Sequence, residues 1–380
     1  MAVLGGIGGI GGIGGIGGIG GIGGIGGIGA GGGLNFTGLG SFVGGAAAPD
    51  PMSTQGFMTS AQAIMHVALT QADEERCDPS TMPGFTELPY NDPRNMDLWE
   101  NWVRASLYLS EFLSHLSWSD NEDKKTVTLQ YGGRNFYRAS RPSPEIFQCQ
   151  ARRMRSYLDQ RLERTPEILS QVAFPTDYFS MILGLNAASN RFTFELIAMT
   201  QILASHVAMV VKHHLACRRP DRVSGLDLPI IQTPGHGSFP SAHATEAFAV
   251  SELLRGLLPH IPHHYPDREK RCLLLDKQAE RIAVNRTVAG VHFPIDSWAG
   301  SSLGIGVARI VLAKCGAAPD PSGFAYKAKD TEFRAVHLRD PDEARRHGLA
   351  PLGSFACPPS DLFKWIWNKS VGEFAIGGVP

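Results

Sequence analysis

LIAMTQILASHVAMVV, residues 196–211, is the longest uncharged apolar run of the chain after residue 50. Glu195 and Lys212 bound this run, so it is sixteen residues long. A membrane span needs about 20 apolar residues, and this run is shorter. The stretch therefore predicts a buried central helix, around which other helices pack.

Helical periodicity continues on both sides of this run. Apolar side chains recur at helical spacing over roughly 97–117, 144–161, 167–186, 190–217, 241–258, 267–288 and 294–315. One segment differs, because the alternating run from Thr126 to Tyr137 turns at Gly132 and Gly133, a pattern typical of a β-hairpin. The sequence predicts an all-α fold, a helical bundle with one small β-hairpin.

Composition limits the classes of function. The 380 residues carry 35 basic and 36 acidic side chains, a formal net charge of -1, which gives no field that would gather nucleic acid or an anionic membrane surface. The cysteines lack C-x-x-C spacing, which favours reduced thiols. The first charged residue is Asp50 and the first basic one is Arg76, so no secretory signal is recognised. We expect a cytoplasmic protein without a nucleic-acid or membrane partner.

Composition also divides the chain into three regions. Residues 1–50 hold 24 of the 44 glycines and repeat Gly-Gly-Ile eight times from Gly5 to Ile28, which predicts a disordered leader. Membrane insertion is the alternative for this leader, because no charge interrupts residues 1–49. Residues 51–316 are predicted to form the helical catalytic domain, and residues 317–380 a polar C-terminal wrap or tail.

The first cluster of polar residues is a pair of cations. Lys212 and Arg219 are seven residues apart, nearly two helical turns, so both are expected on one face of the helix that starts near Asn190. Pro220 disfavours helix at Arg219, which predicts two cations at a helix end. The structural alternative is a basic last turn that complements the helix dipole.

The second cluster is PGHGSFPSAH, residues 234–243, which precedes an apolar helix. Ser241 has the position of an N-cap, so its hydroxyl and the free N–H groups of Ala242 and His243 are expected to face a common anion position. A histidine at such a helix start can exchange a proton with a bound oxyanion. Simple capping is the alternative.

The third cluster is NRTVAGVHFPID, residues 285–296. Proline is tolerated in a first helical turn, so a helix is predicted to begin at Phe293 or Pro294, with His292 just outside it and Asp296 in its first turn. The carboxylate can then accept a hydrogen bond from His292 Nδ1, which leaves Nε2 unprotonated as a ligand or nucleophile. An aspartate that only caps the helix is the alternative.

Joined, the clusters read K-x6-R-P, P-S-A-H and N-R-x5-H-x3-D. This ordered pattern closely resembles the three-part signature of the vanadium-dependent haloperoxidase and type 2 phosphatidic acid phosphatase superfamily, whose fold is also helical. Two positions depart from the usual form, with Ala242 in place of glycine and Asn285 in place of serine. The alanine keeps its backbone N–H but adds a methyl group near the expected oxyanion.

The resemblance implies an anion site of five groups. Lys212, Arg219 and Arg286 would neutralise the equatorial oxygens of phosphate or vanadate, helped by the Ser241 hydroxyl and the Ala242 amide.

The resemblance also implies the catalytic groups. His292 would attack phosphorus or bond covalently to vanadium as the metal ligand, and Asp296 would orient it. His243 would be the acid/base, protonating a leaving group in a phosphatase or deprotonating peroxide in a haloperoxidase.

Two features favour one of these activities. His236 lies seven residues before His243, where the vanadium bromoperoxidases that this stretch resembles have a second histidine near the metal. The membrane phosphatases of this superfamily also have several hydrophobic spans, and this chain has no convincing span outside its leader. We therefore expect a vanadate-dependent haloperoxidase that oxidises halide with hydrogen peroxide and serves a small organic acceptor, with vanadate as cofactor. The alternatives are a soluble acid phosphatase, which hydrolyses a phosphomonoester through a phosphohistidine without a cofactor, and a non-catalytic anion-binding relic.

Overall fold

The computed structural model describes residues 87–375, apart from Lys124, Phe174, Leu226 and Asp227. The predicted leader over residues 1–50 lies outside this part of the chain.

Helix dominates the described residues, with 58 % helix against 9 % strand. A serine N-cap begins three of these helices: the side chains of Ser143, Ser241 and Ser360 each accept a hydrogen bond from the N–H three residues further on, a common way to satisfy a helix start. The α-helices are α1 (Asn101–His115), α2 (Pro144–Met154), α3 (Arg161–Ser170), α4 (Thr176–Leu183), α5 (Arg191–Leu215), α6 (Ala242–Leu257), α7 (Arg268–Val288), α8 (Pro294–Lys314), α9 (Pro341–Arg346) and α10 (Asp361–Gly372).

A five-stranded sheet accompanies the helices. Its strands, in spatial as well as chain order, are β1 (Leu116–Asn121), β2 (Thr126–Tyr131), β3 (Arg134–Ser140), β4 (Phe324–Tyr326) and β5 (Leu349–Pro351). Strands β3 and β4 are parallel, and the other neighbours are antiparallel. The predicted hairpin is β2–β3, which turns at Gly132 and Gly133 with φ of 56° and 76°.

The sheet corrects the prediction of an all-α fold with a single hairpin. Strand β1 follows α1 without a break. Because the helical spacing of apolar residues continues to Leu116, the sequence pattern does not indicate where the helix ends and the strand begins. Strands β4 and β5 have three residues each, too few for an alternating pattern to be recognised. The fold is mainly helical, but it contains a small mixed sheet.

Helices α5, α6 and α8 form the centre of the hydrophobic core. Two glycines let α8 approach α6 closely. A Cβ atom on Gly300 would lie 2.4 Å from the Ser241 carbonyl oxygen, and one on Gly304 would lie 2.1 Å from the Thr245 carbonyl oxygen. Since no side chain fits there, the glycines allow the short distance between these helices. At the start of both helices Ser241 N donates to the Asp296 carbonyl oxygen at 2.9 Å. This contact brings the second and third motifs together.

The region after residue 316 packs onto the helical core. Strands β4 and β5 extend the sheet, and α10 buries Phe363, Trp365, Ile366 and Trp367. The side chains of Thr193 and Ser370, from α5 and α10, hydrogen-bond at 2.8 Å. In this part of the chain the aromatic residues, not the polar ones, determine how the segment lies.

Candidate active site

The first two cations reach the same loop from different elements. Helix α5 ends at Leu215, because Ala216 takes a left-handed conformation with φ 45°. Lys212 lies in the last turn of α5, whereas Arg219 lies beyond the helix, so the prediction that both leave one helix face is wrong. Lys212 is 2 % exposed, and its Nζ donates to the carbonyl oxygens of Gly237 and Ser238 at 2.8 and 2.9 Å.

Arg219 joins the second motif to the third. Its Nε donates to the His236 carbonyl oxygen at 3.1 Å, and its Nη2 lies 3.1 Å from His236 Nδ1. Its Nη1 donates to the Val291 carbonyl oxygen at 2.8 Å and lies 2.9 Å from His292 Nε2. A guanidinium can only donate, so both imidazoles offer it a lone pair.

His292 and Asp296 have the arrangement that the third motif predicts. Helix α8 begins at Pro294, with Phe293 as its N-cap. Asp296 Oδ2 lies 3.0 Å from His292 Nδ1 and accepts from Phe293 N at 2.9 Å. It also accepts from the Ser238 hydroxyl, a contact that the sequence gave no reason to expect.

The protonation of His292 follows from its two neighbours. A carboxylate accepts and a guanidinium donates, so Nδ1 carries the proton and Nε2 keeps its lone pair. Burial lowers the pKa of His292 well below its ordinary value, and the charges of Arg219 and Lys212 lower it further. Burial raises the pKa of Asp296 to about 6, against hydrogen bonds that favour the carboxylate. Near neutral pH the pair is therefore a neutral imidazole beside a carboxylate.

The N-terminus of α6 forms another part of the site. Ser241 is the N-cap, as predicted, and its side chain accepts from Ala244 N at 3.3 Å. Ala242 and His243 occupy the first turn, where an α-helix has no backbone acceptor for its N–H groups. Ser241 N donates to the Asp296 carbonyl oxygen at 2.9 Å, which places this helix start beside the third motif.

His243 and Arg286 both contact Gln171. His243 Nε2 lies 3.1 Å from the Gln171 carbonyl oxygen, which can only accept, so the proton is on Nε2. Arg286 Nη2 donates to Gln171 Oε1 at 3.3 Å and to the Ile168 carbonyl oxygen at 3.1 Å. Burial, together with the charge of Arg286, lowers the pKa of His243 to about 3. Burial lowers the pKa of Arg286 to about 10, so the arginine stays charged at neutral pH.

Two N–H groups of Arg286 have no partner. Its Nε and Nη1 are buried without a hydrogen bond to any part of the chain that the structure describes. An unsatisfied buried donor costs about 1–3 kcal/mol, and more for a charged group. These atoms are therefore the strongest indication of where an anion binds.

Asn285 serves a structural purpose beside the site. Its Nδ2 donates to Glu167 Oε1 and to Gln171 Oε1, both at 2.9 Å. It thereby ties α7 to the end of α3 and holds the residue that Arg286 contacts. Gln171 was not predicted as a site residue. The periodicity predicts one continuous helix over 167–186, whereas in the structure α3 ends at Ser170 and α4 begins at Thr176, with Gln171 between them.

Comparison with known proteins identifies the family. Residues 194–317 match the family model of the PAP2 superfamily, and this range contains all three motifs. This chain carries a PAP2 superfamily domain. The resemblance inferred from the motifs is thereby confirmed.

The PAP2 domain is similar to two curated proteins. Both are decaprenylphosphoryl-5-phosphoribose phosphatases of Mycobacterium tuberculosis, from strains CDC 1551 / Oshkosh and ATCC 25618 / H37Rv. Each is 31 % identical over 132 residues, which cover 34 % of this chain and 66 % of the relative. A solved structure, the first transmembrane PAP2 type phosphatidylglycerolphosphate phosphatase from Bacillus subtilis, is 18 % identical with a TM-score of 0.36, over 44 % of this chain and 84 % of that one.

These relatives overturn the haloperoxidase prediction. The curated proteins that the PAP2 domain matches are phosphatases, so the expected vanadate cofactor, vanadium on His292, peroxide, halide and organic acceptor have no support. Vanadate and phosphate share shape and charge, so the choice depended on His236 and on the lack of several hydrophobic spans. In the structure its Nδ1 and carbonyl oxygen both contact Arg219, a positioning role that does not require a metal.

The predicted cytoplasmic location is also corrected. Within the described residues one helical segment, Arg191–Arg222, is long and apolar enough to cross a membrane, and 72 % of its most apolar window is buried inside the protein. The length of the sixteen-residue apolar run therefore does not exclude a membrane span, contrary to the prediction made from that run.

Proposed function

We propose that this chain is a phosphatase that hydrolyses phosphomonoesters through a phosphohistidine on His292. The observation that carries this proposal is the fixed tautomer of His292, whose Nε2 lone pair lies in a buried site lined by cations. The similarity to phosphatases supports the reaction class.

Three cations are available to the phosphoryl oxygens. Arg286 offers two buried N–H groups that have no partner within the described residues. Lys212 and Arg219 donate to backbone carbonyls in the free protein, and a dianion attracts a cation more strongly than a neutral carbonyl does. The Ser241 hydroxyl and the Ala242 N–H at the start of α6 complete the proposed oxyanion site.

The first chemical step transfers the phosphoryl group to His292. Nε2 attacks phosphorus, the bond between phosphorus and the ester oxygen breaks, and the departing oxygen takes a proton from His243. Arg219 Nη1 donates to Nε2, so it must turn to a phosphoryl oxygen before the lone pair can attack. Asp296 keeps the proton on Nδ1 and stabilises the positive charge that develops on the ring.

The second step regenerates the imidazole. Water attacks phosphorus, the phosphorus–nitrogen bond breaks, and His243 takes the proton that the water loses. A neutral His243 suits this step. For the first step it must be protonated, and a bound dianion favours the charged form because opposite charges raise the pKa of a histidine.

The test is to trap the intermediate. The purified full-length protein is incubated with an aryl phosphate, a sugar phosphate and a lipid phosphate, each labelled at phosphorus, and quenched in alkali, in which phosphohistidine survives. We expect labelled protein and phosphate release with at least one substrate, and neither with His292→Ala. The matched control is His263→Ala, an exposed histidine outside the site, which should behave like the parent. Hydrolysis that persists in His292→Ala would disprove the proposed intermediate.

His243 gives a second, separate expectation. Because it moves protons and is not needed to hold the anion, His243→Ala should still bind phosphate while hydrolysis slows by about 10²–10⁴. Phosphate affinity is measured by calorimetry, and the rate by release of the alcohol. If His243→Ala abolished both labelling and hydrolysis while His292→Ala kept both, the roles assigned to His243 and His292 would be reversed.

A further inference from the structure

A second cluster of possible ligands lies outside the three motifs, around helix α9. His337, Glu343 and His347 offer ligand atoms that all lie within 4.8 Å of one another. His337 Nδ1 is 3.7 Å from Glu343 Oε2. Two imidazoles and one carboxylate are a donor set that suits zinc, which binds nitrogen and oxygen ligands in this combination.

The backbone arranges these residues locally. His347 N donates to the Glu343 carbonyl oxygen at 3.1 Å, so the two residues are one helical turn apart and lie on the same side of the chain. The 3-10 turn Ala335–Leu338 brings His337 over them, and the rings of His337 and His347 stack with centroids 4.9 Å apart. Folding of this segment therefore places all three ligands without a partner chain.

One ligand is held firmly, and the other two can adjust. The ring of His347 stacks on Trp298 of α8 with centroids 4.8 Å apart and an angle of 17°. Its Nδ1 is buried and has no hydrogen-bond partner in the described part of the chain. The side chains of His337 and Glu343 are 32 % and 31 % exposed. Arg346 donates to Glu343 Oε1, which leaves Oε2 as the ligand atom.

We propose that His337, Glu343 and His347 bind a zinc ion, with water as the fourth ligand. A tetrahedral ion with bonds of about 2.0–2.2 Å holds its ligand atoms about 3.3–3.6 Å apart. The partly exposed side chains of His337 and Glu343 must therefore move toward the fixed His347. The His337 ring must also turn out of its stack on His347, because each ligating nitrogen has to point at the ion. The bound ion would fasten the segment around α9 to helix α8 through Trp298, as a site separate from the phosphatase chemistry.

Zinc binding to the full-length chain tests this proposal. Metal-free protein, prepared by treatment with a chelator and dialysis, is titrated with zinc chloride in a calorimeter, and its melting temperature is measured with and without zinc. We expect one strong site per chain and a higher melting temperature with zinc. His347→Ala should weaken binding at least 100-fold, and Glu343→Gln at least 10-fold. Cobalt in place of zinc should give the intense visible absorption of a four-coordinate ion.

The matched control is again His263→Ala, which lies outside the cluster and should bind zinc like the parent. If His347→Ala does not fold, Glu343→Gln decides the matter, because its side chain is partly exposed and the change keeps its size. A parent chain that binds no zinc, or variants that bind it as tightly as the parent, would overturn the site. Since the readout is metal binding, either result leaves the proposed phosphatase reaction standing.

Discussion

Replacing Asp296 with asparagine removes the charge of the group that sets the tautomer of His292. The carboxylate is fully buried and accepts from three donors, Ser238 Oγ, Phe293 N and His292 Nδ1. A hydrogen bond to a charged group contributes about 1.5–3 kcal/mol, and each 1.36 kcal/mol is tenfold in rate. Losing the bond to His292 should therefore lower kcat/KM by about 10- to 150-fold.

The assay is steady-state hydrolysis of an aryl phosphate, followed over pH 4 to 9. In the parent chain kcat/KM should fall as the pH drops through about 6, because protonation of the carboxyl, whose pKa burial raises to about 6, removes the charge beside His292. Two aryl phosphates whose second phosphate pKa differs are compared. A fall in kcat/KM that is due to substrate protonation moves with that pKa, whereas a fall that is due to Asp296 does not. The Asp296→Asn variant should have a low, flat profile over this range.

Ser297→Ala is the matched control for this prediction. Ser297 adjoins Asp296 on α8 and is equally buried, and its hydroxyl has no partner within the described residues. Removing that hydroxyl should leave kcat/KM unchanged and the fold at least as stable. Circular dichroism shows whether the Asp296→Asn variant is folded. If the folded variant also kept the parent rate, the carboxylate would not be needed to set the reactive tautomer of His292.

Two further expectations concern the support of the site. Gln171→Ala removes the side chain that accepts from Arg286 Nη2, whereas the bond from Nη2 to the Ile168 carbonyl oxygen remains. KM for an aryl phosphate should therefore rise about 10-fold with kcat nearly unchanged. An unchanged KM would argue against a positioning role for Gln171. Gly304→Ala forces a Cβ atom to 2.1 Å from the Thr245 carbonyl oxygen, and overpacking of this kind costs about 1–3 kcal/mol. Its melting temperature should drop, whereas Gly353→Ala, where the added atom meets nothing within 4 Å, should melt like the parent.

The helix starts could be predicted from sequence because their causes are local. Ser241 caps α6 through a bond to an N–H three residues away, and Pro294 begins α8 because its ring fixes a helical φ. The position of His292 relative to Asp296 follows from the same turn. Each of these features depends on a handful of consecutive residues, and each appears in the structure.

The features that escaped prediction depend on distant parts of the chain. Arg219 leaves the helix because Ala216 adopts a left-handed conformation, which alanine rarely does and no motif announces. Gln171 and Ser238 contribute through contacts with residues 115 and 58 positions away. Gln171 has no neighbouring pattern that distinguishes it from an ordinary polar residue, and Ser238 lies within the second motif, where nothing indicates its bond to Asp296. The short strands β4 and β5 exist because β3 and the packing of the last region provide their partners.

Arg219 links anion binding to the reactivity of His292 in the proposed mechanism. Its Nη1 lies 2.9 Å from the Nε2 lone pair, so the guanidinium must turn before Nε2 can attack phosphorus. A bound phosphate would offer the guanidinium charged oxygens, a stronger attraction than a neutral imidazole. His236 Nδ1 lies 3.1 Å from Nη2 of the same guanidinium. The histidine that suggested a metal therefore contacts the arginine that would make this turn, and the proposed mechanism couples phosphate binding to release of the nucleophile.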